Sequence, residues 1–282
     1  MITIAVPNKG RLHRPTLKLL EKAGMGVEEE PGRRLRVGTS DPDVDVMFAR
    51  AADIPRLVEE GAADMGVTGH DMVLESGSDV VELVDLGFGR ARMVLAVPEE
   101  SDVEKPTDLE GAVVATEFPN VTKEYFEGLG IEVDLVEVSG ATELMPRIGV
   151  ADAIVDLSST GTTLEVNRLR VVDELFETTA RLIASEEPSD EVEERVVLSI
   201  EGVVNARGKK IVMMNVPKDV LDEVREVLPG VTGPTVSEIL DREDFVDVYA
   251  VVDESDVAEV IRKAKELGAE GILVLPIERM IP

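Results

Sequence analysis

The chain has 282 residues, no cysteine, no tryptophan, and 58 acidic against 29 basic residues, a formal net charge of −29. Without cysteine there is no disulfide framework and no thiolate metal site, and a charge this negative excludes a general nucleic-acid-binding surface. An anionic ligand must therefore find a local cluster of Lys, Arg, metal ion and free backbone N–H groups. The acidity itself fits a solvated surface or adaptation to salt or heat. The length predicts two or three domains. The first residues read directly as a strand with no signal-peptide pattern, and no apolar run reaches membrane-spanning length, so the expectation is a soluble, cytoplasmic protein.

Residues 2–6 predict a strand, and residues 12–23 an amphipathic helix closed by Gly24. Between them, Pro7-Asn8-Lys9-Gly10-Arg11 sets two cations around a glycine at a helix start. That arrangement suits a polyphosphate, or is simply a basic turn. Residues 44–49 predict a strand that ends at Arg50. Asp53-Ile54-Pro55 predicts a helix start, with Asp53 as N-cap and Gly61 as the stop. A short strand over 64–67 lies in Asp64-Met65-Gly66-Val67-Thr68-Gly69. Strands over 80–86 and 93–97 flank Gly87-Phe88-Gly89-Arg90-Ala91-Arg92, which adds two glycines and two arginines at a strand end. His13 and His70 form neither a metal motif nor a triad, and both read as structural.

Past Pro98 an acidic stretch predicts a crossover into a second lobe. Strands over 113–115, 132–138 and 153–155 alternate there with helices over 120–129 and 142–148. Glu117 and Glu143 fall near strand ends; Glu143 reads equally as a site residue or as a first-turn helix acid. The most informative stretch is Asp156-Leu157-Ser158-Ser159-Thr160-Gly161-Thr162-Thr163-Leu164, with five hydroxyls and a glycine between a strand and a helix over 164–169. Hydroxyls, unpaired N–H groups and a glycine permitting close approach would cradle a phosphate; the same residues would also make a capped turn. Asp152 and Asp156 could hold a Mg²⁺–phosphate complex, and Asp152 also fits a turn before its strand.

The chain then returns through 174–184 towards the first lobe and enters a charged helix over 189–205. The last stretch reads strand 210–216, helix 218–228, strands 236–240 and 245–252, helix 255–267, strand 271–275, the β-α-β-β-α-β order of a ferredoxin-like domain. The whole predicts an α/β protein with a cleft between two lobes. The expected joints give residues 1–97 with 173–207 as one lobe, 98–172 as the second, and 208–282 as the C-terminal domain. No internal repeat emerges.

In their order, these motifs resemble the long-form ATP phosphoribosyltransferases along almost the whole chain. The resemblance is carried by Asn8-Lys9-Gly10-Arg11-Leu12, Arg50 with Asp53-Ile54-Pro55, Asp64-Met65-Gly66, Phe88-Gly89 with Arg92, Ala151 to Asp156, Ser159-Thr160-Gly161, Thr163-Leu164-Glu165 and Asn167. Leu228-Pro229-Gly230, Pro234-Thr235 and residues 272–278 carry it in the last third. It implies a core with two lobes like those of periplasmic solute-binding proteins and a third, ferredoxin-like domain for feedback inhibition by L-histidine. It implies transfer of phosphoribose from 5-phosphoribosyl 1-diphosphate to N1 of ATP with Mg²⁺, the first step of histidine biosynthesis, in a homo-oligomer of dimers or a hexamer. The resemblance makes Asp156, Ser158, Ser159, Thr160, Gly161, Thr162 and Thr163 the phosphoribosyl loop. Lys9, Arg11, Arg50 and Arg92 become phosphate contacts. Gly10, Asp64, Gly66 and Glu143 are further substrate candidates, Asp152 a possible metal ligand, and Asn215, Val231, Pro234 and Thr235 the regulatory candidates. A non-catalytic two-lobed solute binder and an inactive regulatory subunit share the same pattern; turnover of the two substrates separates them from an enzyme.

Overall fold

The computed structural model describes residues 1–27, 35–228 and 233–281. The chain divides into two compact units, Met1–Val197 and Leu198–Pro282. The first unit contains strands β1 (Ile2–Pro7), β2 (Arg36–Gly38), β3 (Val44–Ala49), β4 (Met65–Gly69), β5 (Val81–Asp85), β6 (Ala91–Pro98), β7 (Val113–Thr116), β8 (Asp134–Glu137), β9 (Ala153–Ser158), β10 (Leu169–Thr178) and β11 (Ala180–Ala184). Its helices are α1 (His13–Lys22), α2 (Ile54–Glu59), α3 (His70–Ser76), α4 (Pro119–Leu129) and α5 (Thr162–Val166). Helix α6 (Glu191–Asn205) carries the chain from the first unit into the second.

The strands form two sheets, β2-β3-β1-β4-β11-β5 and β10-β6-β9-β7-β8. Strands β3, β1 and β4 are mutually parallel in the first, as are β8, β7 and β9 in the second. All six residues of β1 are buried, as expected for a strand covered on both faces. Two segments cross between the sheets, β5 to β6 and β10 to β11. They are tied where Leu86 N–H donates to Ala180 O at 2.9 Å and Ala180 N–H to Phe88 O at 2.9 Å. This is the two-lobed, α/β plan expected from the sequence.

Its joints differ from the expected ones. Strand β6 pairs with β9 and β10, not with the first sheet, and β10 stays in the second sheet to Thr178. The lobe boundaries therefore fall within 86–90 and at 178–180 instead of at 97/98 and 172/173. The apolar pattern of Ala91–Pro98 dictates that it is buried but not which strands it pairs with. The unit boundary falls at Val197/Leu198, inside α6, instead of at 207/208. The helix expected over 142–148 is a 3₁₀ turn, Thr142–Leu144, set between a left-handed Ala141 and Pro146, which lacks an N–H to continue it. The helix expected at 164–169 runs over Thr162–Val166, and Leu169 already begins β10. Asp53 does not cap α2 with its side chain; it ends a 3₁₀ turn, Ala51–Asp53, in helical geometry. Strand β2 and helix α3 were not expected.

The starts of the parallel strands are closed by two aspartates. Thr3 N–H donates to Asp64 Oδ2 at 2.7 Å, and Val113 N–H donates to Asp152 Oδ2 at 2.9 Å. Each precedes a strand, β4 or β9, and accepts an N–H from the first two residues of a parallel neighbour. Asp64 and Asp152 thus lie at the opposite strand ends from the hydroxyl loop, which removes them as substrate and metal candidates. Gly66 is a packing glycine: a Cβ there would stand 2.5 Å from Ile54 Cγ2 and 3.0 Å from Val58 Cγ2.

The second unit has strands β12 (Lys209–Pro217), β13 (Thr235–Glu238), β14 (Phe245–Asp253) and β15 (Glu270–Pro276), with helices α7 (Leu221–Val227) and α8 (Val257–Glu266). The sheet order is β13-β14-β12-β15, all antiparallel, as in a ferredoxin-like domain. Val212, Met214, Val216, Val246, Val248 and Ala250 turn one sheet face onto Val224, Val260 and Ala264 of the helices.

Asp64→Ala and Asp152→Ala each leave a strand-end N–H without its acceptor. Each should lower unfolding free energy by about 1 kcal/mol in urea titrations and leave substrate KM values unchanged; a large KM change would return the residue to the site.

Candidate active site

The free ends of the parallel strands gather the predicted chemistry. In the first sheet, β1 leads into Asn8-Lys9-Gly10-Arg11 and β3 into Arg50. The two strand ends are locked together, Asn8 N–H donating to Ala49 O at 2.7 Å. Lys9, Gly10, Arg11 and Arg50 are all exposed, and Gly10 has a φ of +82° that favours glycine. The side chains of Lys9 and Arg50 have no hydrogen-bond or ion-pair partner among the described residues. In a chain of charge −29, two unpaired cations on adjacent strand ends form a local anion-attracting field.

In the second sheet the corresponding ends carry Glu117 after β7, Glu143 in the turn beyond β8, and Ser159-Thr160-Gly161 after β9. Gly161 has a φ of +79°, and nothing lies within 4 Å of where its Cβ would be. Its N–H donates to Ser158 Oγ at 3.2 Å, which folds the loop back over the buried Ser158. Thr160 and Thr162 hydroxyls lie 3.1 Å apart. Ser159, Thr160, Thr162 and Thr163 are exposed, and among the described residues nothing accepts from the N–H groups of Thr160, Thr162 and Thr163. The loop is thus a turn whose donors stay open.

Arg11 joins the two sets. Its Nη1 lies 3.5 Å from Ser159 Oγ, and its Nη2 lies 3.7 Å from Asp71 Oδ1. Arg92 on β6 stands directly across from Ser158 on β9. Its guanidinium is engaged, Nη1 lying 3.0 Å from Glu174 Oε2, so it reaches a ligand only by leaving that pair.

Asp156 lies on the sheet below the loop and donates no proton to a neighbour; instead its Oδ1 accepts from Leu157 N–H at 2.7 Å. Burial pushes its carboxyl from the ordinary 3.8 up to about 6, and the negative charges of Glu117 and Glu143 add to the rise. Leu157 N–H opposes the rise. So does the Thr142 hydroxyl, which faces the carboxylate although the buried Oγ1 completes no hydrogen bond in the structure. Asp156, with Glu117, Glu143 and Thr142 around it, thus makes an acceptor-rich region beside the hydroxyl loop. It suits the hydroxyls of a sugar, which donate to carboxylates.

One residue of this site, Asp71, escaped sequence reasoning. Glu117 was visible only as one of several strand-end acids. Asp71 was hidden because α3 itself was not expected; its signal is an acid in the first turn after the strand-end Thr68-Gly69. Of the regulatory candidates, Asn215 is half-buried on β12, on the sheet face turned away from the helices, and Thr235 opens β13 on the same face. Pro234 is half-buried beside it, and Val231, with the turn at Pro229-Gly230, lies outside the described residues.

The family pattern described as "ATP phosphoribosyltransferase" matches residues 50–203, and the one described as "HisG, C-terminal domain" matches residues 206–279. The chain belongs to the ATP phosphoribosyltransferase family. The ATP phosphoribosyltransferase of Methanopyrus kandleri is 70% identical over the whole of both chains, and that of Natronomonas pharaonis 54% identical over 99% of both. A chain of the solved ATP phosphoribosyl transferase (HisG:HisZ) complex from Thermotoga maritima is 30% identical, with a TM-score of 0.63 over 73% of this chain and 99% of that one. Membership in the ATP phosphoribosyltransferase family makes this chain a pentosyltransferase of histidine biosynthesis, in the long form that carries the C-terminal domain. Among the described residues no helix is long and apolar enough to cross a membrane.

Asp156→Asn should separate stability from function. A carboxyl whose folded-state value is raised costs stability when ionised, so the cost is full above about pH 6 and fades as pH falls towards the unfolded value. The variant should therefore melt at a higher temperature than the parent at pH 8 and at the same temperature near pH 4, while losing most activity. Equal melting curves at pH 8 would show that burial does not strain this carboxylate.

Proposed function

We propose that the two sets of strand ends hold 5-phosphoribosyl 1-diphosphate and ATP for attack of adenine N1 on the anomeric carbon. The C–N bond forms there as the C–O bond to diphosphate breaks, and the diphosphate leaves with the electron pair. Such a displacement needs no protein nucleophile. It needs two anionic substrates oriented and the leaving charge stabilised. The observation that carries this reading is the open-donor loop at Ser159–Thr163 facing Arg11, with the acceptor patch around Asp156 at its side. In this reading the loop takes the 5-phosphate, Asp156 and Glu143 take ribose hydroxyls, Arg11, which reaches the loop, faces 5-phosphoribosyl 1-diphosphate, and Lys9, Gly10 and Arg50 face the diphosphate and ATP phosphates. Arg92 joins them by exchanging Glu174 for substrate.

A divalent ion, taken here as Mg²⁺, would be carried mainly on the substrate's phosphates. Among the described residues no three carboxylates or imidazoles converge to hold one, and Mg²⁺ commonly binds through one or two carboxylates plus phosphate oxygens and water. Asp156 is the carboxylate beside the loop that fits such a partial site. When bound, the ion would neutralise charge on the leaving diphosphate.

We assign the second unit to binding of L-histidine as inhibitor, through the outer sheet face that bears Asn215 and Thr235, in an assembly of several copies. Inhibition then requires that histidine bind a less active state more tightly than an active one.

Turnover of ATP and 5-phosphoribosyl 1-diphosphate with Mg²⁺ tests the reaction directly; binding without turnover would favour a solute binder of the same fold. Lys9→Ala removes an exposed cation with no side-chain partner among the described residues, so circular dichroism should be unchanged. A lost charged contact of about 1.5–3 kcal/mol should lower kcat/KM about ten- to hundredfold; unchanged kinetics with both substrates would make Lys9 a surface turn residue. For the second unit, calorimetry of the full chain should show binding of L-histidine, weakened about tenfold in Asn215→Ala. No binding heat across temperatures, with uninhibited turnover, would leave this unit a role in assembly alone.

A further inference from the structure

The structure assigns Asp71 as the positioning residue that holds Arg11 at the phosphoribosyl loop, an inference that rests on the reading of that loop given above. Asp71 lies in the first turn of α3 with its side chain only 2% exposed, in a place where a lone carboxylate is costly unless it is paired. It is fixed on one side by Thr178, the last residue of β10. Thr178 Oγ1 donates to Asp71 Oδ1 at 2.6 Å and accepts from Asp71 N–H at 3.1 Å. The backbone is pinned next door, where His70 N–H donates to Thr179 O at 3.0 Å. Gly69 lets the carboxylate turn back over its own chain: a Cβ at Gly69 would lie 2.2 Å from Asp71 Oδ1.

Arg11 approaches the same carboxylate oxygen. The guanidinium spans from Asp71 Oδ1, 3.7 Å from Nη2, to Ser159 Oγ, 3.5 Å from Nη1. Both contacts are long for hydrogen bonds. They orient the guanidinium without consuming its donors, with Nη1 turned to the loop and the remaining N–H groups of the planar fork open to a ligand. Arg11 is 36% exposed, so it is open to a ligand while its anchor is dry. A buried anchor behind an exposed cation removes rotamer freedom that substrate binding would otherwise have to restrict.

The anchor also reports the relation of the two sheets. Thr178 ends a strand of the second sheet, whereas Asp71 and Arg11 belong to the first. Asp71 sits where β10 crosses to β11, and the turn bearing Arg11 packs on the other crossing segment, since a Cβ at Gly89 would lie 2.2 Å from Leu12 Cδ2. A shift of one sheet against the other would thus pull Thr178 from Asp71 and release Arg11. Because Ser159 belongs to the loop assigned to 5-phosphoribosyl 1-diphosphate, the effect should fall on that substrate.

Asp71→Asn keeps the shape and the acceptor for Thr178 and removes the charge that holds Arg11. Misplacing a contact group by about 1 Å costs up to about a hundredfold, so the KM for 5-phosphoribosyl 1-diphosphate should rise about ten- to hundredfold while the KM for ATP stays within twofold. Arg11→Ala combined with Asp71→Asn should be no worse than Arg11→Ala alone, because Asp71 acts through Arg11. Thr178→Val gives the same direction of change, smaller, and serves if Asp71→Asn fails to fold. Calorimetric affinity for 5-phosphoribosyl 1-diphosphate is measured on the same variants. Additive losses, or equal KM changes for both substrates, would overturn the inference and leave Asp71 a residue that only seats α3. Parent protein that binds 5-phosphoribosyl 1-diphosphate with this coupling but does not turn it over would overturn the catalytic reading and leave the positioning role standing.

Discussion

Six parallel strands, three in each sheet of the first unit, fix the polarity on which the rest of the site depends. Parallel strands send all their starts to one edge of the sheet and all their ends to the other. At the starts, N–H groups need acceptors, and Asp64 and Asp152 supply them to Thr3 and Val113. At the ends, the chain must turn, and turns leave donors open. The protein places its unpaired Lys9 and Arg50, the Arg11 fork and the hydroxyl loop at those ends. Anion binding is therefore a consequence of strand direction, and the side chains refine it.

Charge makes that economy necessary. With 29 basic residues against 58 acidic ones, carboxylates outnumber cations two to one, and several cations are committed to them. Arg181 reaches Glu82 and Asp85, and Arg195 reaches Asp41 and Asp43. In the second unit, Arg262 and Lys263 share Glu259. A phosphate site survives in this background where a cation has no competing carboxylate among the described residues, as at Lys9 and Arg50, or where the carboxylate is buried behind it. Asp71 is of the latter kind. The same background explains Asp156: set near Glu117 and Glu143 and largely removed from water, it gives up part of its acidity and waits for a partner that donates.

Much of this was legible in the sequence because the signals were local. Apolar runs gave β1, β3, β7 and β12 nearly to the residue, and left-handed glycines closed α1 and α4. The hydroxyl loop was legible for the same reason, since all its groups come from nine consecutive residues. What failed was non-local. The periodicity of Ala91–Pro98 fixes its burial but carries no information about which sheet it joins, so the lobe boundary was misplaced. Asp64 and Gly66 looked like site residues because an acid and glycines beside a strand read alike at either end of it. Only the register of β4 against β1 shows that Asp64 stands at the start.

A two-fold signal in the sequence could have decided this. Gly61-Ala62-Ala63-Asp64-Met65-Gly66-Val67 and Gly149-Val150-Ala151-Asp152-Ala153-Ile154-Val155 share glycine, alanine, aspartate and valine at the same spacing. In both, the glycine has positive φ, the alanine is buried and the aspartate accepts an N–H at the start of a neighbouring strand. A motif that recurs once in each sheet, in front of strands that end differently, belongs to the plan shared by both lobes. The residues that differ between the lobes beyond these strands are the ones left to chemistry. After β4 the chain runs Gly69-His70-Asp71 into α3 and buries its acid; after β9 it runs Ser159-Thr160-Gly161 and exposes its hydroxyls. One turn became the anchor and the other the cradle, and Arg11 spans the distance between them.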